Sequence, residues 1–216
     1  MLPRSLPSDI DLALRATLLD RPWWAGPRIV LLISPLAGLA IGSFGAVSPE
    51  RAPQMLYAAI KLPLMILGSA VVCLPAFFVM HLALRARRDF PLAVRGVLGG
   101  QAVFAIALAG LAPLIPVWYG AVHSHRLAIL ANGALFAIAS ACSLVAVARA
   151  QRRSTGPRLT SRALLVCWLF LYTLVGMQTA WMLRPFIGSP EAPISFLRER
   201  PLTNGYVAVL RQIVGG

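Results

Sequence analysis

The sequence is poor in acidic residues and in lysine. Only 7 of its 216 residues are Asp or Glu, and Lys61 is the single lysine. Charged residues make up 12% of the chain, about half of the roughly 25% that is typical of soluble domains. No acidic residue lies within an apolar run, which argues against a proton- or sodium-coupled transporter because a carboxylate relay is missing. The scarcity of charge indicates a protein of the lipid bilayer.

Motifs of catalysis and of metal or cofactor binding are missing from the sequence as well. It contains no GxSxG, HExxH, Walker loop or pair of catalytic carboxylates. The three cysteines lie singly in apolar runs, without the CxxC spacing of metal or redox sites. Of the histidines, only His81 lies within a predicted helix, while His123 and His125 fall on an outer loop, so no pair is placed to bind haem. We therefore expect no enzymatic activity, no cofactor and no metal.

Arginine, in contrast, is abundant. The 20 basic residues give a net charge of +13, which raises the alternative of nucleic-acid binding. The arginines fall between apolar runs and not along one helix face, so the positive-inside rule of membrane proteins accounts for them better. We expect no nucleic-acid partner.

Five apolar runs are each long enough to cross a membrane. About 20 helical residues span the roughly 30 Å hydrocarbon layer, and a helix satisfies its own backbone hydrogen bonds there. The alternation that barrel strands require is not seen. The sequence thus predicts an all-α polytopic membrane protein with about five transmembrane helices. The predicted spans are 29–47, 62–84, 96–118, 127–148 and 163–183.

Segments of a different character flank the predicted bundle, which covers 28–184. Residues 1–27 form a cytoplasmic or interfacial segment with an amphipathic helix over 8–20 that ends at a proline and is followed by two tryptophans. This pattern favours a helix lying in the headgroup region; the alternative is a cytosolic helix packed on the protein's own loops. Residues 185–216 form a Pro-rich strap and a short amphipathic segment, 204–214, which is too short to span.

The distribution of arginine predicts the orientation in the membrane. With a cytoplasmic N-terminus, the inner segments hold thirteen arginines and the outer segments hold six. This bias favours a cytoplasmic N-terminus and an extracytoplasmic, periplasmic C-terminus. If the segment 204–214 crossed the membrane instead, the C-terminus would lie inside.

Four polar or amphipathic residues form a candidate packing or ligand site at the outer side. Trp181 and Arg184 are typical of a helix leaving the membrane, where indoles and arginines prefer the headgroup level. Gln178 lies about 9 Å further in, so its amide must face another helix or a wet cavity. Lys61, placed at the outer end of the second span, would extend its amine to the interface. The structural interpretation and a ligand site both remain open for this group.

Small residues at helical spacing indicate close helix packing. Gly38 and Gly42 form a GxxxG pair in the first span, and Gly133 with Ala137 and Gly176 lie on small-residue ridges of the fourth and fifth spans. Such ridges let helices approach closely. Part of this surface is therefore available to a protein partner or a second copy of the chain.

Two stretches resemble an uncharacterised family of bacterial inner-membrane proteins. They read KLPLMILGSAVVCLPA from position 61 and VGMQTAWMLRPFIGSP from position 175. The matching residues are Lys61, Pro63, Cys73, Leu74, Pro75, Gln178, Trp181, Arg184, Pro185, Phe186, Gly188, Ser189 and Pro190. The resemblance covers about a fifth of the chain and implies a multi-pass protein of the bacterial inner membrane. It implies no particular activity.

Two functions are consistent with these observations. The leading hypothesis is a non-catalytic membrane subunit that anchors or scaffolds a larger complex, in contact with membrane lipids and a protein partner. The alternative is a small transporter or lipid-binding protein whose pocket is lined by Gln178, Trp181, Arg184 and Lys61. The sequence names neither a ligand nor a partner.

Overall fold

The computed structural model describes residues 22–44, 51–122, 124–155, 159–188 and 194–197. Only the backbone is described for part of this chain, including 150–155 and 159–163. The predicted amphipathic helix over 8–20, His123 and the segment 204–214 lie outside the described residues.

The regular elements in the described ranges are all helices. They are α1 (Ala25–Gly42), α2 (Ala52–Ala83), a 3₁₀ turn (Arg87–Asp89), α3 (Phe90–Leu111), α4 (Leu114–Ala121), α5 (His125–Thr155) and α6 (Leu159–Met182).

Four of these helical segments are long and apolar enough to cross a membrane. They are Ala25–Gly42, Ala52–Ala83, Arg87–Leu111 and His125–Arg149. The fifth predicted span corresponds to α6, whose 24 residues reach about 36 Å at 1.5 Å per residue; its apolar part within the described side chains is the shorter stretch Val166–Met182. The chain therefore has the fold of an all-α polytopic membrane protein.

Several helix boundaries differ from the hydropathy prediction, and three of the differences change the outline of the first three predicted spans. The helix α2 begins at Ala52, ten residues before the apolar run, because 52–61 is rich in helix-forming residues and carries a proline at its start, where one is tolerated. The first helix ends at Gly42 and not at 47. The third predicted span is divided, since α3 ends at Leu111 and the separate short helix α4 follows Pro113, a residue without a backbone N–H.

The helices pack in the order α6, α2, α1, α3 and α5, with a smaller contact between α2 and α3. The helix α2 packs against α1 on one side and α6 on another, while α3 packs against α1 and α5. One core cluster joins Ile41, Leu62, Leu108 and Ile115, and a second joins Cys73, Phe77, Val97 and Trp168. The helices α5 and α6 make little direct contact, so a space is left between them.

These contacts define two ends of the bundle. The turn between α2 and α3 lies at one end, near Trp168 in the first half of α6, and the segment after α6 lies at the other end, against the start of α2. At the first end, which we call the arginine end, six arginines are exposed among the side chains that the structure describes: Arg28, Arg85, Arg87, Arg88, Arg95 and Arg149. The opposite end, which we call the strap end, carries Arg51, Arg126 and Arg184.

The helix α2 terminates at the arginine end in a Schellman motif. The amide of Ala86 donates to the carbonyl of His81 at 2.8 Å, and the amide of Arg85 donates to the carbonyl of Leu82 at 3.0 Å. Arg85 occupies the left-handed position of this motif with φ 54°, where glycine is the usual residue. The left-handed position of this turn is therefore occupied by a residue whose β-carbon makes that backbone conformation unfavourable.

Candidate functional site

The segment that follows α6 is held against the start of α2 by two polar side chains. Gln54 Nε2 lies 3.2 Å from the carbonyl oxygen of Pro185 and 3.1 Å from that of Phe186. Lys61 Nζ donates to the carbonyl of Pro185 at 2.8 Å. Gln54 and Lys61 are seven residues apart, two turns along α2, so they lie on the same helix face. We call these two side chains and residues 183–188 the clasp.

Lys61 is fully buried within the clasp. Its relative exposure is 0%, so it does not reach the interface as its predicted position at the helix end suggested. Its amine lies 4.9 Å from the centre of the Phe196 ring and 6.0 Å from that of Tyr57, and these two rings meet edge to face. A carbonyl dipole and two aromatic rings thus replace part of the lost hydration of the cation.

The other residues of the predicted polar group lie on α6 and just beyond it. Arg184 places its guanidinium over the ring of Trp181, an arrangement that fits a helix leaving the bilayer. Both side chains and Gln178 are half-buried. The structure thus brings Lys61 to the backbone directly after Arg184. None of these four residues lines the cavity described next.

A cavity of about 560 Å³ lies between α2, α3, α5 and α6. Its walls are mainly apolar, and its lining residues include Met65, Phe104, Leu144, Val147 and Trp168. Pockets that bind small molecules enclose about 300–1,000 Å³ with mostly apolar walls. By size and lining, the cavity can accept a small apolar molecule or a lipid chain.

The two small-residue ridges of α5 and α6 face this cavity. Gly133 and Ala137 line it from α5, and Gly176 and Ala180 line it from α6. A β-carbon at position 133 would meet no atom within 4 Å. The ridges therefore border open space, which differs from the tight helix contact that such spacing suggests.

The GxxxG pair of α1, in contrast, lies in a tight helix contact. A β-carbon on Gly38 would lie 2.5 Å from the Cα of Ala59, and one on Gly42 would lie 2.6 Å from the Cα of Met55. Real side chains do not approach a backbone this closely, so α1 and α2 can pack here only because both positions are glycine. The pair sets the distance between the first two helices.

A few polar groups interrupt the apolar wall of the cavity. Tyr172 Oη lies 3.1 Å from the carbonyl oxygen of Ile66 and 3.0 Å from Oε1 of Gln101. The phenol carries one proton, so it donates to one of these acceptors at a time. The hydroxyl of Ser69, a fully buried residue, has no hydrogen-bond partner in the described part of the chain.

Ser69, Gln101, Tyr172 and Gln54 were not identified from the sequence. The criterion that drew attention to Gln178, an amide within an apolar run, applies equally to Gln101. Gln54 lies between the predicted spans 29–47 and 62–84, where hydropathy predicts no helix. The unsatisfied hydroxyl of Ser69 is a property of packing and has no signal in the sequence.

The described residues supply binding groups more readily than catalytic ones. No cluster of three or more His, Cys, Asp or Glu among them could hold a metal ion. His81 is buried, its Nδ1 is 2.9 Å from the carbonyl oxygen of Phe77, and its ring meets Phe77 and Phe90 edge to face. This arrangement gives His81 a packing role at the arginine end.

No protein-family model, curated protein or solved structure matches the chain. The resemblance to an inner-membrane family therefore stays a prediction.

Proposed function

We propose that the chain is a non-catalytic integral membrane subunit that anchors or scaffolds a larger complex in a bacterial inner membrane. The observation that carries the proposal is the low burial of the fourth span. Only 17% of the residues in its most apolar window are buried, against 44%, 44% and 50% for the other three spans. A helix with so few contacts inside its own chain leaves most of its surface to lipid or to another protein.

The uncovered side of α5 forms one continuous outer face. Leu127, Leu130, Ile138 and Val145 are 45%, 58%, 49% and 47% exposed. At about 100° per residue, these four positions fall within roughly 80° of one another. Ala141, also exposed, lies between the last two and allows the backbone of a partner helix to approach. This outer face is the surface that we assign to a partner.

The polar groups at the strap end support a structural role. Gln54 and Lys61 hold the carbonyls of the segment after α6, and Arg184 stacks on Trp181. Side chains that make these contacts within the chain stabilise its own fold.

The orientation is part of the proposal. Exposed arginines are concentrated at the arginine end, and the positive-inside rule assigns such an end to the cytoplasm. The strap end, with the segment after α6, then faces the periplasm. The N-terminus is cytoplasmic in this arrangement.

Site-specific photo-crosslinking tests the assignment of a partner. A photoreactive amino acid at position 130 or 145 of α5 is expected to give one and the same protein adduct in native membranes, either a second copy or a distinct partner. Positions 32 and 72, where Leu32 is 75% and Val72 is 64% exposed on other helices, are the matched controls and should give lipid adducts. Lipid adducts alone at 130 and 145, with a particle containing a single 23.2 kDa chain, contradict the proposal.

A transporter or lipid-binding function is the second candidate. The observation that favours it is the cavity between α2, α3, α5 and α6, since a transporter or lipid-binding protein needs space for its ligand. This cavity is not lined by Gln178, Trp181, Arg184 or Lys61, the residues that were predicted to form the pocket.

A further inference from the structure

Three properties of the intramembrane cavity point to a specific class of ligand. The first is its position. The cavity lies beside the gap between α5 and α6, which make little direct contact. A gap between two membrane helices connects a cavity with the surrounding lipid, so a hydrophobic molecule could enter from the bilayer.

The second property is the unpartnered hydroxyl of Ser69. Helical serines and threonines commonly donate to the carbonyl four residues earlier, and Ser34, Ser140 and Thr179 do so here at 2.7–2.8 Å. Ser69 does not, although its side chain is fully buried and lines the cavity. Because an unsatisfied buried hydroxyl is unfavourable, a ligand that forms a hydrogen bond with Ser69 removes that cost.

A second polar group lies close to Ser69. A β-carbon on Gly176 would be 3.9 Å from Ser69 Oγ, and Tyr172 is one helical turn away from Gly176 on α6. Since Tyr172 donates to only one of its two acceptors at a time, a lone pair on the other, either the carbonyl oxygen of Ile66 or the amide oxygen of Gln101, is able to accept from a further donor. The site thus offers a hydroxyl without a partner and, near it, an oxygen that can accept one more hydrogen bond.

The third property is the charge of the lining. Among the residues that the structure describes, those that line the cavity include no Asp, Glu, Lys, Arg or His. A carboxylate or phosphate placed among them would be buried without a counter-ion, which is strongly unfavourable. The lining therefore disfavours a charged group inside the cavity.

We propose that this cavity binds an uncharged long-chain amphiphile through its hydroxyl group, with the chain along the small-residue faces of α5 and α6. A hydroxyl both accepts a hydrogen bond from Ser69 and donates one to the open acceptor beside Tyr172. A ketone or an ether accepts only, and an alkane does neither. The outer face of α5 takes no part in this site, so the inference is independent of the proposed scaffold function.

Photolabelling of the full chain in lipid nanodiscs tests the inference. The probes are a long-chain alcohol that carries a diazirine, its methyl ether and the matched fatty acid. The alcohol is expected to label peptides of α5 and α6 that line the cavity about fivefold more strongly than the ether, the factor expected for one ordinary hydrogen bond. The fatty acid, used at pH 9 so that its carboxyl is ionised, should label them least.

Two variants connect the labelling to the named groups. Ser69→Ala removes the donor from which both probes accept, so it is expected to weaken labelling by the alcohol and by the ether alike, about fivefold, while the preference for the alcohol persists. Ala137→Phe fills the cavity and should reduce labelling by both probes at least fivefold. Ala134→Phe introduces the same ring on the same helix at an exposed position outside the cavity lining and should label as the wild type does. Thermal unfolding in detergent identifies any variant that fails to fold, and the wild-type comparison of the three probes does not depend on the variants.

Equal labelling of the wild type by alcohol and ether overturns the inference. So does labelling by the fatty acid at the level of the alcohol at pH 9, because it would place a charge in the cavity. Unchanged labelling of a folded Ala137→Phe protein would show that the probes bind elsewhere. None of these results bears on crosslinking from the outer face of α5.

Discussion

Lys61 Nζ donates to the carbonyl oxygen of Pro185 at 2.8 Å, across 124 positions of the sequence. The contact ties the first third of α2 to the chain that leaves α6. The same carbonyl lies 3.2 Å from Gln54 Nε2, so two side chains of one helix hold one peptide group. The clasp thus fixes where the chain runs after its last predicted span.

Replacement of Lys61 by methionine should release the segment after α6. A hydrogen bond to a charged group contributes about 1.5–3 kcal/mol, so its loss should expose this segment at least tenfold more often. The measurement is the alkylation rate of a cysteine introduced by Ile187→Cys, followed by peptide mass spectrometry, with and without Lys61→Met. Because removing the amine also removes the cost of burying a cation, the unfolding temperature should change little.

Leu64→Met provides the control for this experiment. It introduces the same side chain three residues further along α2, at a position that is 51% exposed, and should leave the alkylation rate unchanged. An unchanged rate in Lys61→Met as well would show that Gln54 alone holds the segment. In that case Gln54→Leu alone and the double variant with Lys61→Met should release the segment equally, and the role of Lys61 in the clasp is refuted.

Hydropathy predicts the helices well because the lipid requires long apolar segments, but it does not predict which polar groups meet. Hydropathy leaves 52–61 outside the predicted second span, because Gln54, Tyr57 and Lys61 lower the mean hydropathy of this stretch. These residues are the ones that contact Pro185, Phe186 and Phe196 in the folded chain. Their partners are more than 120 residues away, and a local pattern contains no information about them.

Small-residue spacing predicts where the small-residue faces of the helices lie, but not which of these faces another helix covers. It identified the ridges on α1, α5 and α6. Gly38 meets the backbone of α2, whereas Gly133 meets open space. The difference arises because α6 packs on α2 and leaves α5 aside, an outcome that depends on the whole bundle.

Arg85→Gly should stabilise the protein. Arg85 has φ 54°, a conformation that costs a residue with a β-carbon about 1–2 kcal/mol, and glycine adopts it without that cost. We expect the free energy of unfolding in detergent to rise by about 1 kcal/mol after allowance for the greater freedom of glycine in the unfolded chain.

Arg88→Gly is the matched control for charge. Arg88 lies in the same exposed turn and has no positive φ, so its replacement removes an equal charge without relieving strain. We expect it to be neutral or slightly destabilising. Equal stabilisation by both variants would point to charge repulsion in the turn and against strain at Arg85.

The two ends of the bundle should be accessible from opposite sides of the membrane. In a chain whose native cysteines are replaced by alanine, Ser124→Cys lies at the strap end and Arg88→Cys at the arginine end. A membrane-impermeant maleimide is expected to label position 124 in intact cells and position 88 only after permeabilisation. Labelling of both positions from the same side contradicts the proposed threading, and labelling of position 88 alone in intact cells reverses the orientation.

Two glycine-to-alanine substitutions should have opposite effects on stability, one in the contact between α1 and α2 and one at the end of α3. In Gly38→Ala the new β-carbon would lie 2.5 Å from the Cα of Ala59 and 2.6 Å from the oxygen of Ala58, and backbone atoms cannot yield as a flexible side chain does. The helices must separate, which typically costs about 1–3 kcal/mol. In Gly110→Ala, at the end of α3, the β-carbon meets nothing within 4 Å, so the better helix propensity of alanine should add up to about 1 kcal/mol. Unfolding of both variants in the same detergent measures the difference. If Gly38→Ala were as stable as Gly110→Ala, α1 and α2 would not approach each other as closely as the structure has them.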